Sequence, residues 1–294
     1  MDLVISNISK TYPNGVRALN NVSLTIPKGM FGLLGPNGAG KSSLMRTIAT
    51  LQDADEGSIQ FGYLNVLEQK DEIRKRLGYL PQEFGLYPNL SAETILDHFA
   101  LLKGVAAPKQ RKEVVASLLE QTNLYAVRKK NVGGFSGGMK QRLGIAIALV
   151  GEPELVIVDE PTAGLDPNER NRFLNLLGEI GENIVVILST HIVEDVRELC
   201  RSMAIINKGE VLLAGSPEAV IGEVQGKIWR ITVEKSELER YNRDFSVIST
   251  RLVAGKPVIH VFSETQPEEG FVNVEADLED VYFHRIAGAQ SLAA

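Results

Sequence analysis

Nine consecutive residues carry the first recognisable chemistry in this 294-residue chain: Gly35, Pro36, Asn37, Gly38, Ala39, Gly40, Lys41, Ser42 and Ser43. They contain the pattern G-x-x-x-x-G-K-[ST], set between an apolar run, MFGLLG, and a helical run, SSLMRTIAT. Small residues at these places let backbone N–H groups turn inward around phosphate oxygens, at the positive end of a helix dipole. The Lys41 ammonium would reach β- and γ-phosphates, and the Ser42 hydroxyl would bind Mg²⁺. The ligand this chemistry calls for is a nucleoside triphosphate. The same stretch without a ligand is a glycine-rich turn between a strand and a helix.

Binding phosphate is not hydrolysing it. The run Leu155-Val156-Ile157-Val158-Asp159-Glu160 supplies two acids where a buried strand ends, at the carboxyl edge of a sheet, which is also where a phosphate loop lies. Asp159 suits a Mg²⁺ shell, through water, and Glu160 suits a general base polarising an attacking water. Taken alone, a strand followed by Asp-Glu-Pro reads as a surface turn. A third segment, GGFSGGMKQRLGIAIAL, puts Ser136 at a helix N-cap position with Gly137 and Gly138 after it, leaving free N–H groups at a helix start. It reads equally as a second anion site or as a flexible helix start, and spacing does not decide between them.

These residues need elements to hold them. From the start to about residue 221, β-branched runs alternate with helical patterns, the signature of strands joined by crossover helices in a mainly parallel sheet. LVIV (Leu155–Val158) and IVVIL (Ile184–Leu188) are continuous apolar runs suited to strands buried on both faces. LVISNISKTY and ALNNVSLTIPKG predict an antiparallel β layer before that core. Leu96, Phe99 and Leu102, then Val114, Val115, Leu118 and Leu119, recur at helical spacing and predict a helical insert, about 85–150. Beyond Gly222 the strand-like KIWRITVEK, FSVISTRLV and KPVIHVFSE and the helix-like ADLEDVYFHRIAG predict a small α+β appendage, 222–294. The fold class expected is α/β.

Composition narrows the function. Hydrophobic residues make up 44% of the chain, enough for a sizeable core, and a formal net charge of −6 lacks the basic footprint of a nucleic-acid binder. No nucleic acid is expected as a partner. The single cysteine, Cys200, cannot form an internal disulfide, and MDLVISNISK lacks the layout of a secretory signal, so a cytoplasmic protein is expected. Its apolar runs fall short of the roughly 20 residues that cross a bilayer. A membrane role would come through a partner.

Gly35–Ser42, FSGGMKQR (Phe135–Arg142), LVIVDEPTAGLD (Leu155–Asp166) and STH (Ser189–His191) stand in an order and spacing that resembles the nucleotide-binding subunits of ABC transporters. The resemblance covers about residues 2–221 and implies a P-loop NTPase domain over 1–221, ATP and Mg²⁺ as ligands, and ATP hydrolysis coupled to transport. It also implies a dimer, with a second copy or a related ATPase subunit, in which each ATP lies between one phosphate loop and the partner's Ser136-Gly137-Gly138 helix start. Four further residues carry over by position. Tyr12 would stack on adenine, Gln82 would reach Mg²⁺ and water, His191 would contact the γ-phosphate, and Asp166 would communicate across the dimer. Read alone, these are a strand aromatic, a solvated glutamine, a loop histidine and a helix cap.

One departure stands out: the family signature usually reads Leu-Ser-Gly-Gly-Gln, and here Phe135 and Met139 hold the outer places. FSGGMKQR and the closing ADLEDVYFHRIAG resemble the drug and polysaccharide exporter branch, the ABC-2 type, whose permease subunits are separate chains. That implies a subunit held peripherally on the inner face of the cell membrane. Phe84, Leu86 and Tyr87, beside Gln82, are expected to be exposed and to form part of a groove for a cytoplasmic helix of the permease; the alternative is that the three pack into the chain's own helical insert. The competing readings are a soluble ATPase of the same family acting on nucleic acid or ribosomes, and a small-molecule kinase.

Overall fold

The computed structural model describes residues 1–162 and 164–291; Ala163, in the LVIVDEPTAGLD run, and 292–294, at the end of the predicted appendage, lie outside the described residues. The chain opens with β1 (Leu3–Thr11), β2 (Arg17–Ile26) and β3 (Gly29–Leu34), then α1 (Lys41–Ile48). Next come β4 (Glu56–Phe61), β5 (Leu64–Asn65), α2 (Lys70–Arg76) and β6 (Leu77–Leu80). Three helices follow, α3 (Ala92–Leu102), α4 (Pro108–Gln121) and α5 (Gly137–Ala148). The chain returns as β7 (Leu155–Asp159), α6 (Pro167–Ile180), β8 (Val185–Thr190), α7 (Val193–Leu199), β9 (Ser202–Asn207), β10 (Glu210–Gly215) and α8 (Pro217–Gly222). It closes with β11 (Ile228–Thr232), α9 (Leu238–Asp244), β12 (Val247–Val253), β13 (Lys256–Phe262), β14 (Val272–Asn273) and α10 (Leu278–Ser291).

The central sheet has six strands in the order β10-β9-β3-β8-β7-β6. β9, β3, β8, β7 and β6 pair in parallel, and only the edge strand β10 runs antiparallel. Every residue of β7 and β8 is buried, which is why their sequences are apolar runs up to the polar residues at their carboxyl ends rather than alternating ones. The N-terminal layer is a separate antiparallel sheet, β2-β1-β4-β5, and β1 alternates buried and exposed residues because only one face meets the core. β3, which follows β2 in the chain, belongs to the central sheet and carries the phosphate loop on its carboxyl end.

One apolar core joins the antiparallel layer to the central sheet, with Leu44, Met45 and Ile48 of α1 between them. A second lies on the opposite face of the sheet, and a third holds α3, α4 and α5 together. Helices start where the sequence provides caps: Ser91, Ser136, Asp166 and Ser216 each accept a backbone N–H from three residues on, and α6 and α8 follow their caps with proline. Helix α5 comes close to β6 because Gly144 has no side chain; a Cβ there would strike Leu80 and Phe84.

The closing region builds a sheet β12-β13-β11-β14 whose one face, with α9, encloses Tyr241, Ile259, Val261 and Phe271. Helix α10 then returns to the main body. Leu278, Val281 and Tyr282 share the second core with Val196, Cys200, Met203 and Ile205, so the apolar interior runs continuously through the 221/222 boundary read from the sequence. No described helix is long and apolar enough to cross a membrane.

Candidate functional site

The phosphate loop turns at Gly40, which caps α1 in the left-handed region at φ 108. A side chain there would be strained by that φ and would press on the Ala18 carbonyl, so the close approach of the loop to β2 requires glycine. The Gly209 N–H donates to the Ala39 carbonyl at 2.8 Å, tying the loop to the turn between β9 and β10. Helix α1 thus starts with its N–H groups facing the cleft and no side-chain cap over them.

A cleft of about 620 Å³ opens there, a size suited to one nucleotide-sized ligand. Its walls include Tyr12, the loop residues Pro36, Asn37, Gly38, Ala39 and Gly40, then Lys41, Ser42, Ser43, Gln82, Glu160 and His191. Residues from Tyr12 to Lys208 therefore face one space, the acids and the phosphate loop brought there by the parallel order of β3, β8 and β7. Gly35 lies beneath, its carbonyl accepting from Lys41 Nζ at 2.6 Å; the Pro36 carbonyl lies 3.3 Å from the same nitrogen.

Glu160 is the most constrained residue of the group. It is buried, sits at φ 49 although it is not glycine, and donates its N–H to the Ser189 carbonyl at 2.8 Å. Its Oε2 lies 2.7 Å from His191 Nδ1 and its Oε1 3.5 Å from Lys41 Nζ. A carboxylate only accepts, so His191 Nδ1 carries the shared proton. Such a backbone outlier, held by strand pairing on one side and by a side-chain bond on the other, is a usual mark of a working residue.

Asp159 is buried beside it, with Oδ1 lacking a partner among the described residues; Glu160 Oε1 and the Ser189 hydroxyl also make no hydrogen bond there. Buried unpaired oxygens are costly. Concentrated at one strand edge, they fit a hydrated divalent cation; of the three only Glu160 lines the cleft that Ser42 and Gln82 share, and Asp159 and Ser189 lie behind it. Among the described residues no group of three His, Cys, Asp or Glu side chains could hold a metal ion by itself. Tyr79 of β6 senses the same charge: burial first, and then Asp159, push its hydroxyl above the ordinary tyrosine range, opposed by Arg46.

Two predicted groups lie apart. Ser136 and Gly137 are exposed at the start of α5, Gly138 is buried there, and none of the three lines the phosphate cleft. Ser136 Oγ accepts from Met139 N at 3.2 Å. Asp166, also exposed, caps α6 by accepting from Glu169 N at 3.0 Å, as its helix-cap reading expects. The two helices are joined by an ion pair between Arg142 and Glu169. Near Gln82, Tyr87 is exposed as expected, whereas Phe84 and Leu86 are half-buried: Phe84 packs toward Gly144 and Leu80, and Leu86 toward the helical core. They line a groove of about 370 Å³ with Gln82, Pro88, Val132 and Gln141.

Sequence reading missed Asp195. It is wholly buried, accepts from Thr162 Oγ1 at 2.8 Å and from Arg170 Nε at 2.8 Å, and pairs with the Arg170 guanidinium. One carboxylate thereby joins the segment just after Glu160, the start of α6, and the helix that follows His191. No local motif marks it, since its two partners come from two other segments. Arg17 and Lys208 on the cleft rim were also missed; only the Asn207-Lys208-Gly209 turn chemistry hints at the second.

Comparison with known proteins agrees with this geometry. A family model described as ABC transporter matches residues 19–163. The linearmycin resistance ATP-binding protein LnrL of Bacillus subtilis (strain 168) is 36% identical over 226 residues, 76% of this chain and 72% of that protein. The ABC transporter ATP-binding protein NatA of the same organism is 37% identical over 211 residues, 70% of this chain and 84% of that one. The probable multidrug ABC transporter ATP-binding protein YbhF of Escherichia coli (strain K12) is 36% identical over 233 residues, 78% of this chain, which spans only 40% of that protein's length. Among solved structures, the ATP-binding cassette MJ0796, a dimer in a post-hydrolysis state bound to ADP and Pi, superposes with a TM-score of 0.66 at 27% identity. That likeness covers 73% of this chain and 98% of the cassette.

Proposed function

This chain belongs to the ABC transporter family, and from that premise we propose that it is an ATP-binding subunit that hydrolyses ATP to power separate membrane-spanning subunits. The observation that carries the reading is Glu160, held on a left-handed backbone between His191 and Lys41 at the mouth of the phosphate loop. Backbone N–H groups of Gly38 to Ser43 cradle the phosphates, and Lys41 turns from the Gly35 and Pro36 carbonyls to the β- and γ-oxygens. Ser42, Asp159 and Gln82 would hold Mg²⁺, which when bound would neutralise phosphate charge. Glu160 accepts a proton from the attacking water, and His191 fixes the carboxylate through Nδ1 while its ring faces the γ-phosphate position. Tyr12 supplies a face for the adenine ring.

Ser136-Gly137-Gly138 and Asp166 lie outside the cleft, so one chain offers half of each site. The helix start of α5 meets the nucleotide of a second copy or a related subunit, the dimeric form in which MJ0796 was solved. The permease docks at the groove beside Gln82, whose lining residues Leu86 and Pro88 adjoin the exposed Tyr87 in sequence, on the cytoplasmic face of the membrane. The names of YbhF and LnrL support export as the direction. The test is Glu160→Gln. It should keep ATP affinity, lose about a hundredfold to ten-thousandfold in turnover, and sediment as a dimer with MgATP. Ser136→Arg should block that dimer and leave ATP bound. Wild-type turnover in Glu160→Gln excludes Glu160 as base, and a monomer at saturating ATP favours a kinase-like enzyme.

A further inference from the structure

The predicted adenine platform is not merely an aromatic ring near the cleft. Tyr12 Oη lies 3.0 Å from Ser43 Oγ and donates to Gln52 Oε1 at 3.0 Å. The Gln52 amide nitrogen in turn donates to the Ser43 carbonyl at 2.8 Å and to Thr47 Oγ1 at 2.9 Å. The orientation of the amide is therefore dictated from both sides, because the flipped group would set its oxygen against the Ser43 carbonyl. Ser43 belongs to the first turn of α1, the helix that presents N–H groups to phosphate.

The chain reaches this arrangement at a cost. Past the end of α1, Thr50 adopts φ 59, a left-handed value that a β-branched residue rarely takes. It is held there by Arg74, whose Nε donates to Thr50 Oγ1 at 2.9 Å and whose Nη2 donates to the Thr50 carbonyl at 3.2 Å. The bend turns the chain back, so that Gln52 lies over Ser43 and Thr47 rather than continuing outward. Tyr12 itself opens a turn just beyond β1, closed by Tyr12 N to Val16 O at 2.9 Å, and no strand pairing fixes its side chain.

We propose that Gln52 is a positioning residue for nucleotide recognition, fixing the Tyr12 ring to the phosphate-binding helix through the tyrosine hydroxyl so that base and phosphate subsites are held at a set separation. The inference rests on the reading of the cleft as an ATP site and adds to it a role for the hydroxyl, which stacking alone does not use. Ser43 is the shared point. Its hydroxyl touches Tyr12 and its peptide carbonyl accepts from Gln52, so the platform is anchored to the phosphate-binding helix at one residue. Removing the Gln52 amide leaves the Ser43 carbonyl and the Thr47 hydroxyl bonded to each other at 2.9 Å, so Gln52→Leu orphans no buried group on α1.

The experiment is calorimetric titration of ATP and of inorganic tripolyphosphate into wild type, Tyr12→Phe, Gln52→Leu and the double variant. Tyr12→Phe keeps the ring and loses only the hydroxyl. The ratio of ATP to tripolyphosphate affinity should fall about three- to tenfold in each single variant, the net worth of one hydrogen bond, and no further in the double. A general structural effect would weaken both ligands together and leave the ratio unchanged, and that result overturns the proposal. Full ATP selectivity in Tyr12→Phe overturns it too. Wild type that binds neither ligand would remove the ATP reading itself, a failure distinct from an unchanged ratio in protein that binds both.

Discussion

Removing the Asp195 carboxylate should do more damage than any other single truncation near the cleft. The side chain is wholly buried and receives three donors: the Thr162 hydroxyl and two nitrogens of Arg170. In Asp195→Ala the guanidinium loses its counter-charge with its side chain only 25% exposed, and the Thr162 hydroxyl loses its acceptor. Breaking a buried pair from one side costs about 3–5 kcal/mol, and partial access of water to Arg170 places the expected loss near the lower end, at about 3 kcal/mol. That is a large share of the roughly 5–15 kcal/mol by which a domain is stable. Asp195→Asn keeps one acceptor for Arg170 and a neutral contact to Thr162, so it should lose about half as much. Urea unfolding followed by far-ultraviolet circular dichroism at neutral pH measures both. An alanine variant within about 1 kcal/mol of wild type, or an asparagine variant as unstable as alanine, would refute the assignment of this carboxylate as the tie between three segments.

Two further outcomes follow from the geometry. Tyr87 is 68% exposed whereas Phe84 is packed, so Tyr87→Ser should release the protein from membranes carrying its permease without lowering its thermal midpoint, and Phe84→Ser should lower that midpoint. His284 of α10 stacks on Phe262 with ring centroids 4.1 Å apart, and burial, then the Arg285 charge, hold its imidazole below the usual histidine range. The unfolded chain then binds the proton more readily, so stability should fall as pH drops below about 6.5 and level off under the folded-state value; a thermal midpoint of His284→Leu that fell just as far would assign the acid sensitivity elsewhere.

Features written in a few consecutive residues were open to sequence reading. The phosphate loop, the acids at the end of β7, the Ser136 cap and the doubly buried strands depend on local spacing and composition, and the fold puts Ser136 at the N-cap of α5 and buries β7 and β8 throughout. The groove residues were harder, because an aromatic beside a glutamine looks the same whether it faces solvent or a helix. Gly144, sixty residues on, makes the space that half-buries Phe84. Asp195, Gln52 and the bend at Thr50 carry no motif at all, since their roles exist only once partners from distant segments arrive. The same is true of α10: its sequence shows a helix, and tertiary packing alone sends Leu278, Val281 and Tyr282 into the core behind α7. Local chemistry fixes what a segment can bind or become, whereas a buried charge, a strained backbone and a shared core are decided by what surrounds them, because desolvation and packing are properties of the assembled neighbourhood.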